Sequence, residues 1–125
     1  MGLPRLSRSV DSLLEDARRT ITRLTPAEAH AALGDGALLV DTRSPDEQRE
    51  QGARIPGALE HPLSVVLWRL DGLPRETRVI LICRHGYSSS LAAAQLRELG
   101  FADAADVLGG VEAWQAAGLP VVAPG

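Results

Sequence analysis

Residues 79–90 read Val79-Ile80-Leu81-Ile82-Cys83-Arg84-His85-Gly86-Tyr87-Ser88-Ser89-Ser90. The first five are uncharged and largely β-branched, and so short an apolar run suits a strand buried on both faces in the middle of a parallel sheet. Beyond the next few residues, Leu91, Ala92, Gln95, Leu96 and Leu99 recur at helical intervals, and Gly100 supplies a stop. Strand, loop and helix follow one another within about two dozen residues, as in a βα unit. Open α/β sheets bind ligands beyond the carboxyl ends of their strands. Cys83 stands at such an end.

The same alternation extends in both directions. Val10, Leu13, Leu14, Ala17 and Ile21 lie at three- and four-residue steps, which puts them on one face of a short helix after a loose Pro, Arg and Ser tail over residues 1–9. That face is expected to cover the domain edge or a subunit contact. Residues 21–24 suit a short edge strand, and Thr25-Pro26-Ala27-Glu28 is a helix start with a cap, a proline in the first turn and a capping-box acid. A helix over 26–33 ends at Gly34. Residues 37–40 form a buried strand that delivers Asp41 to its carboxyl end, and residues 45–50 form a surface helix. A turn at Gly52 and Ile55-Pro56-Gly57-Ala58 leads into a strand near Leu59, and residues 64–70 hold a turn or two of helix. After residue 100 come a last strand over 105–108, a Gly109-Gly110 turn and a closing helix over 111–117. The expected architecture is α/β, a mostly parallel sheet with helices on both faces.

A chain of 125 residues fits one domain with one core. Hydrophobic residues make up 45% of it, yet two Trp, one Tyr and one Phe are the only aromatics, so aliphatic side chains must fill the core. Trp68 and Trp114 are expected to serve as packing residues. Every basic residue is Arg, and with sixteen acids against thirteen bases the net charge of -3 gives no ground for nucleic-acid binding. The single Cys excludes an internal disulfide, and no His and Cys spacing suggests zinc. Neither a secretion signal nor a membrane-spanning stretch is evident, so a soluble, cytoplasmic protein is expected, with no membrane partner.

A lone Cys at the end of a buried strand is ordinarily an inert small core residue. Such a residue has no use for an Arg-His-Gly-Tyr-Ser-Ser loop. If the loop curls round the sulfur, successive backbone N–H groups point inward and make an anion nest, and the following helix N-terminus favours thiolate over thiol. Gly86 permits the tight curve. Ser88, Ser89 and Ser90 offer hydroxyls as caps or as donors to a bound group, Arg84 and His85 bring positive charge to attract an anionic donor, and Tyr87 lines the rim.

The loop Cys83-Arg84-His85-Gly86-Tyr87-Ser88-Ser89 resembles the active-site loop of single-domain rhodaneses, the thiosulfate sulfurtransferases. Three further passages agree in order: Leu39-Val40-Asp41-Thr42-Arg43, Gly52-Ala53-Arg54-Ile55-Pro56-Gly57-Ala58 and Leu108-Gly109-Gly110-Val111-Glu112-Ala113-Trp114. The resemblance implies a three-layer rhodanese-like fold over residues 21–125, preceded by a partly helical extension over residues 1–20. It implies that Cys83 takes sulfane sulfur from thiosulfate or another small anionic donor, holds it as a persulfide, and passes it to cyanide or a thiol, including a protein thiol. No metal or organic cofactor is implied. Arg84, His85, Gly86, Tyr87, Ser88 and Ser89 would bind substrate. Asp41, Arg43 and Arg54 would be structural supports, Arg54 standing where relatives often carry His; its other reading is a positive charge at the substrate mouth. The loop lacks the second basic residue that many thiosulfate enzymes carry farther along, which leaves the donor open. The extension is expected to matter for stability and not for loop chemistry. Two rivals are a Cys-x5-Arg phosphatase, which would need Arg where this chain has Ser89, and a non-enzymatic sulfur carrier or protein-binding module.

Overall fold

A computed structural model describes residues 7–124. The tail expected over residues 1–9 falls, up to residue 6, outside the described residues. Five strands, β1 (Thr22–Leu24), β2 (Leu38–Asp41), β3 (Leu59–Glu60), β4 (Val79–Ile82) and β5 (Ala105–Val107), pair in parallel in the order β1-β5-β4-β2-β3. The helices are α1 (Val10–Thr20), α2 (Pro26–Gly34), α3 (Pro45–Gln51), α4 (Val66–Leu70), α5 (Ser88–Glu98) and α6 (Gly110–Ala116). β4 takes the central place its composition predicts, with all four residues buried.

Alternation along β4 builds a core on each face of the sheet. Ile80 and Ile82 pack with Leu39 and Val107 against Ala29 and Ala32 of α2 and Val111 and Trp114 of α6. Val79 and Leu81 face the other way, with Val40, against Val66 and Leu70 of α4 and Ala92, Ala93 and Leu96 of α5. The small alanines let α5 lie close to the strands. The result is the expected three-layer α/β arrangement. None of the helices among the described residues is long and apolar enough to cross a membrane.

Local chemistry explains the element boundaries. Thr25 accepts from Glu28 N while the Glu28 carboxylate accepts from Thr25 N, the expected capping box, and Ser44 and Glu47 repeat it at the start of α3. The Thr25 backbone N–H holds the Glu28 carboxyl below its ordinary range. Two expectations are changed. The apolar face of α1 is only partly covered: the helix packs along α5 and Arg18 near its end bonds Ser90 there, so that Ala17 is buried, but Val10 and Leu13 are exposed. Trp68 is 76% exposed on the outer side of α4 and packs no core, whereas Trp114 is buried and donates Nε1 to the Pro120 carbonyl at 2.9 Å.

Candidate active site

Cys83 follows directly on β4, at the carboxyl edge of the sheet, and is 5% exposed. The loop does curl round it: Gly86 N donates to Cys83 Sγ at 3.1 Å. Gly86 has φ +86, and a Cβ there would lie 2.9 Å from Gly109 N. Gly110, at φ +63, comes closer still, since a Cβ would stand 2.3 Å from the Cys83 carbonyl oxygen. Val111 N donates to that same oxygen at 2.8 Å, and Glu112 N to the Arg84 carbonyl at 3.2 Å. The Gly109-Gly110 turn is therefore a backbone platform against which the sulfur loop lies, and only glycine allows so close an approach.

Ser89 Oγ lies 3.2 Å from Cys83 Sγ and donates to Asp106 Oδ2 at 3.0 Å. Ser90 Oγ reaches the same carboxylate oxygen at 2.6 Å. Asp106 is fully buried in β5, and Arg23 Nε from β1 pairs with its Oδ1 at 2.9 Å. Tertiary placement thus recruits Asp106 and Arg23, which sequence reasoning missed. An acid within an otherwise apolar strand was the one local signal available; nothing in the sequence marked Arg23. The serines do not cap α5. They are its first three residues, the N-cap is Tyr87 without a side-chain cap bond, and the buried hydroxyls of Ser89 and Ser90 go to Asp106.

In front of the sulfur lies a cavity of about 320 Å³ lined by Thr42, Arg43, Glu47, Leu63, Cys83, Arg84, His85, Tyr87 and Ser88. Tyr87 stands 61% exposed at its rim, as expected. Arg84 and His85 do line it, but each already has an acidic partner. Arg84 Nη1 pairs with Glu50 at 3.0 Å and His85 Nδ1 meets Glu112 at 2.9 Å. Arg84 Nε is buried with no partner among the described residues, so this pocket residue keeps one unused donor.

Asp41 and Arg43 form a fully buried pair beside the pocket. Arg43 grips the Asp41 carboxylate from Nη2 at 2.7 Å and Nε at 3.0 Å, and donates from Nη2 to the Ala53 carbonyl at 3.0 Å and from Nη1 to Gln51 at 3.1 Å. Asp41 in turn accepts the Arg43 backbone N–H. The pair ties the end of β2 to the segment after α3. Arg54 is not brought to the sulfur pocket. It lines a separate cavity with Arg43, Gln48 and Glu60, bonds Glu60 at 2.8 Å, and pairs its backbone with Val122. The Glu60 carboxylate raises the Arg54 guanidinium above its ordinary value.

Known proteins carry the same plan. Among solved structures, a protein of unknown function from Rhodopseudomonas palustris, described as a possible tyrosine phosphatase, superposes with a TM-score of 0.80 at 28% identity, over 97% of this chain and 100% of that one. The polysulfide-sulfur transferase homodimer of Wolinella succinogenes superposes with a TM-score of 0.75 at 25% identity, over 90% of this chain and 85% of that one. In sequence, a sulfurtransferase from Allochromatium vinosum is 37% identical over 90 residues, 72% of this chain and 82% of the relative. The thiosulfate sulfurtransferase GlpE of Pseudomonas savastanoi pv. phaseolicola is 36% identical over 97 residues, 75% of this chain and 87% of the relative. Residues 25–117 match the Rhodanese-like domain, from the capped start of α2 to the end of the closing helix and across every loop that meets at Cys83, and the chain therefore belongs to that family.

Proposed function

We propose that this protein is a sulfurtransferase that carries sulfane sulfur as a persulfide on Cys83. The observation that bears most weight is the bond from Gly86 N to Cys83 Sγ at 3.1 Å, at the open N-terminus of α5. An inward amide and a helix start both favour negative charge on sulfur. In the first half-reaction the Cys83 thiolate attacks the outer sulfur of a donor such as thiosulfate. A new S–S bond forms to Cys83, the donor's S–S bond breaks, and sulfite leaves with the electron pair. In the second, cyanide or a thiolate attacks the terminal sulfur and Cys83 departs as thiolate. The single Cys means that an acceptor from outside the chain must complete the cycle. The names of the Allochromatium and Pseudomonas relatives support this reading.

Within it, the inward amides of the loop over residues 84–89 hold the anionic sulfur, and the Asp41 and Arg43 pair and Arg54 brace neighbouring loops. A phosphatase would need a bidentate Arg six residues after the nucleophile. Ser89 occupies that place, with its hydroxyl bonded to Asp106. A sulfur carrier that unloads only to a protein partner is the remaining alternative, and turnover with small acceptors separates it from an enzyme.

The test is intact-mass measurement after incubation with thiosulfate and a panel of other persulfide donors. Wild-type protein should gain the mass of one sulfur atom, lose it to cyanide or a thiol, and fail to gain it as Cys83→Ser. Absence of the adduct with every donor would overturn the proposal.

A further inference from the structure

Side chains from outside the sulfur loop converge on the carbonyl of Gly86. Arg18 Nη2 donates to it at 2.9 Å and Arg23 Nη2 at 3.2 Å, while Ser90 Oγ, whose proton goes to Asp106, lies 3.3 Å away. Arg18 Nε also reaches Ser90 Oγ, at 3.2 Å. Neither arginine lines the cavity in front of Cys83. They hold the loop from outside the pocket.

The consequence follows from peptide geometry. The described residues contain no cis bond, so the peptide between Gly86 and Tyr87 is planar and trans, and its carbonyl and N–H point in opposite directions. Fixing the carbonyl on the arginines turns the Tyr87 N–H away from them. One peptide earlier, Gly86 N–H is bonded to the sulfur. The residue with the greatest backbone freedom in the loop is thus clamped on the carbonyl side while its amide meets the nucleophile.

Arg18 is the part of this clamp that comes from α1. Its neighbour Arg19 is committed to Glu15 and Asp16 on the exposed side of the helix. Arg18 makes no ion pair among the described residues, and its hydrogen bonds there all go to the sulfur loop and the start of α5. The contact that draws α1 down onto α5 therefore also delivers a guanidinium to the loop's far side.

We propose that Arg18 is a positioning residue for sulfur transfer, which makes α1 part of the reacting unit as well as a cover for the domain edge. The reaction named here rests on the sulfurtransferase reading; the positioning of Cys83 does not, and the two are measured separately. Arg18→Ala, Arg18→Lys and Arg19→Ala are made in the full chain. For each, the rate of persulfide formation at saturating donor, the half-saturating donor concentration and the rate of Cys83 alkylation by iodoacetamide are recorded.

Misplacing a reacting group by a fraction of an ångström to an ångström costs about ten- to hundredfold, so Arg18→Ala should lose at least about tenfold in the saturated rate and in alkylation. Because Arg18 lies outside the pocket, the half-saturating concentration should stay within about twofold. Arg18→Lys, which keeps one charged donor, should recover part of the loss, and Arg19→Ala should match wild type. An unchanged rate in Arg18→Ala, or an equal loss in Arg19→Ala, overturns the proposal. So does a higher half-saturating concentration at an unchanged saturated rate, which would mean charge attraction. If wild type loads sulfur from no donor, the sulfurtransferase reading fails, and alkylation of Arg18→Ala against Arg19→Ala still decides whether Arg18 positions Cys83.

Discussion

Gly110→Ala should damage both the stability of this protein and the chemistry of Cys83, though residue 110 carries no side chain of its own. A Cβ on the present backbone would stand 2.3 Å from the Cys83 oxygen and 2.8 Å from the carbonyl carbon and oxygen of Arg84. Ordinary carbon contacts need about 3.5 Å, so the turn and the loop must separate by roughly 1 Å. That separation stretches the bond from Val111 N to Cys83 O, now 2.8 Å, past useful length, and weakens the one from Glu112 N to Arg84 O. Each lost bond is worth about 1 kcal/mol net. The left-handed φ of +63 adds strain for alanine, on the order of 1–2 kcal/mol. The sum is a destabilisation of about 2–4 kcal/mol, a large share of the 5–15 kcal/mol that holds a typical domain.

Equilibrium urea denaturation reads the first effect, and iodoacetamide alkylation of Cys83 the second. Gly34→Ala is the control. Gly34 closes α2 with no atom within 4 Å of an added Cβ and no positive φ, so that variant should match or slightly exceed wild type. If Gly110→Ala unfolds at the wild-type urea concentration and its Cys83 reacts at the wild-type rate, the idea that this turn is the platform of the sulfur loop is wrong.

Two further outcomes concern charge. Glu50→Gln should release Arg84 toward the pocket and speed loading from an anionic donor by about two- to fivefold, the worth of one half-exposed pair, with the gain shrinking at high salt; an equal gain with an uncharged donor would count against it. Glu28 carries a pH effect on folding. Its carboxyl is held below the ordinary 4.5 by the Thr25 backbone N–H, so its contribution is fully present above that pH and is lost as pH falls through the lower folded value. Wild type and Glu28→Gln should therefore differ in urea midpoint at neutral pH and converge in acid. A difference that persists at low pH would mean that the carboxylate is not its source.

The elements of this fold were legible because their causes are local. Apolar periodicity, the capping box at Thr25 and the stops at Gly34 and Gly100 placed the helices and strands to within a residue or two of where they lie. The apolar run before Cys83 marked the central strand, and the Gly-containing loop after it marked the candidate nucleophile. The misreadings are of another kind. Trp68 was assigned to packing by its chemistry, but which side of α4 meets the sheet depends on where α4 docks. The serines were read as caps or as donors to a bound group, since a Ser at a helix start often caps; a carboxylate from another strand drew the hydroxyls of Ser89 and Ser90 inward.

What the sequence determined by itself is the set of elements, their alternation, and a lone cysteine at a strand end facing a helix start, all carried by neighbours in the chain. The tertiary structure decided what surrounds that cysteine. Near Cys83 in sequence there is almost no acid, but the fold brings Glu50 to Arg84, Glu112 to His85 and Asp106 to the serines. It lays the Gly109-Gly110 turn against the Cys83 carbonyl and carries Arg18 and Arg23 across more than sixty residues of chain to one carbonyl oxygen. The physical reason is sheet order. With β5 between β1 and β4, Asp106 and Arg23 stand at partnered positions, and the end of β4 meets the start of α6. No local periodicity encodes which strand will be whose neighbour, and the charge around the sulfur follows from that choice.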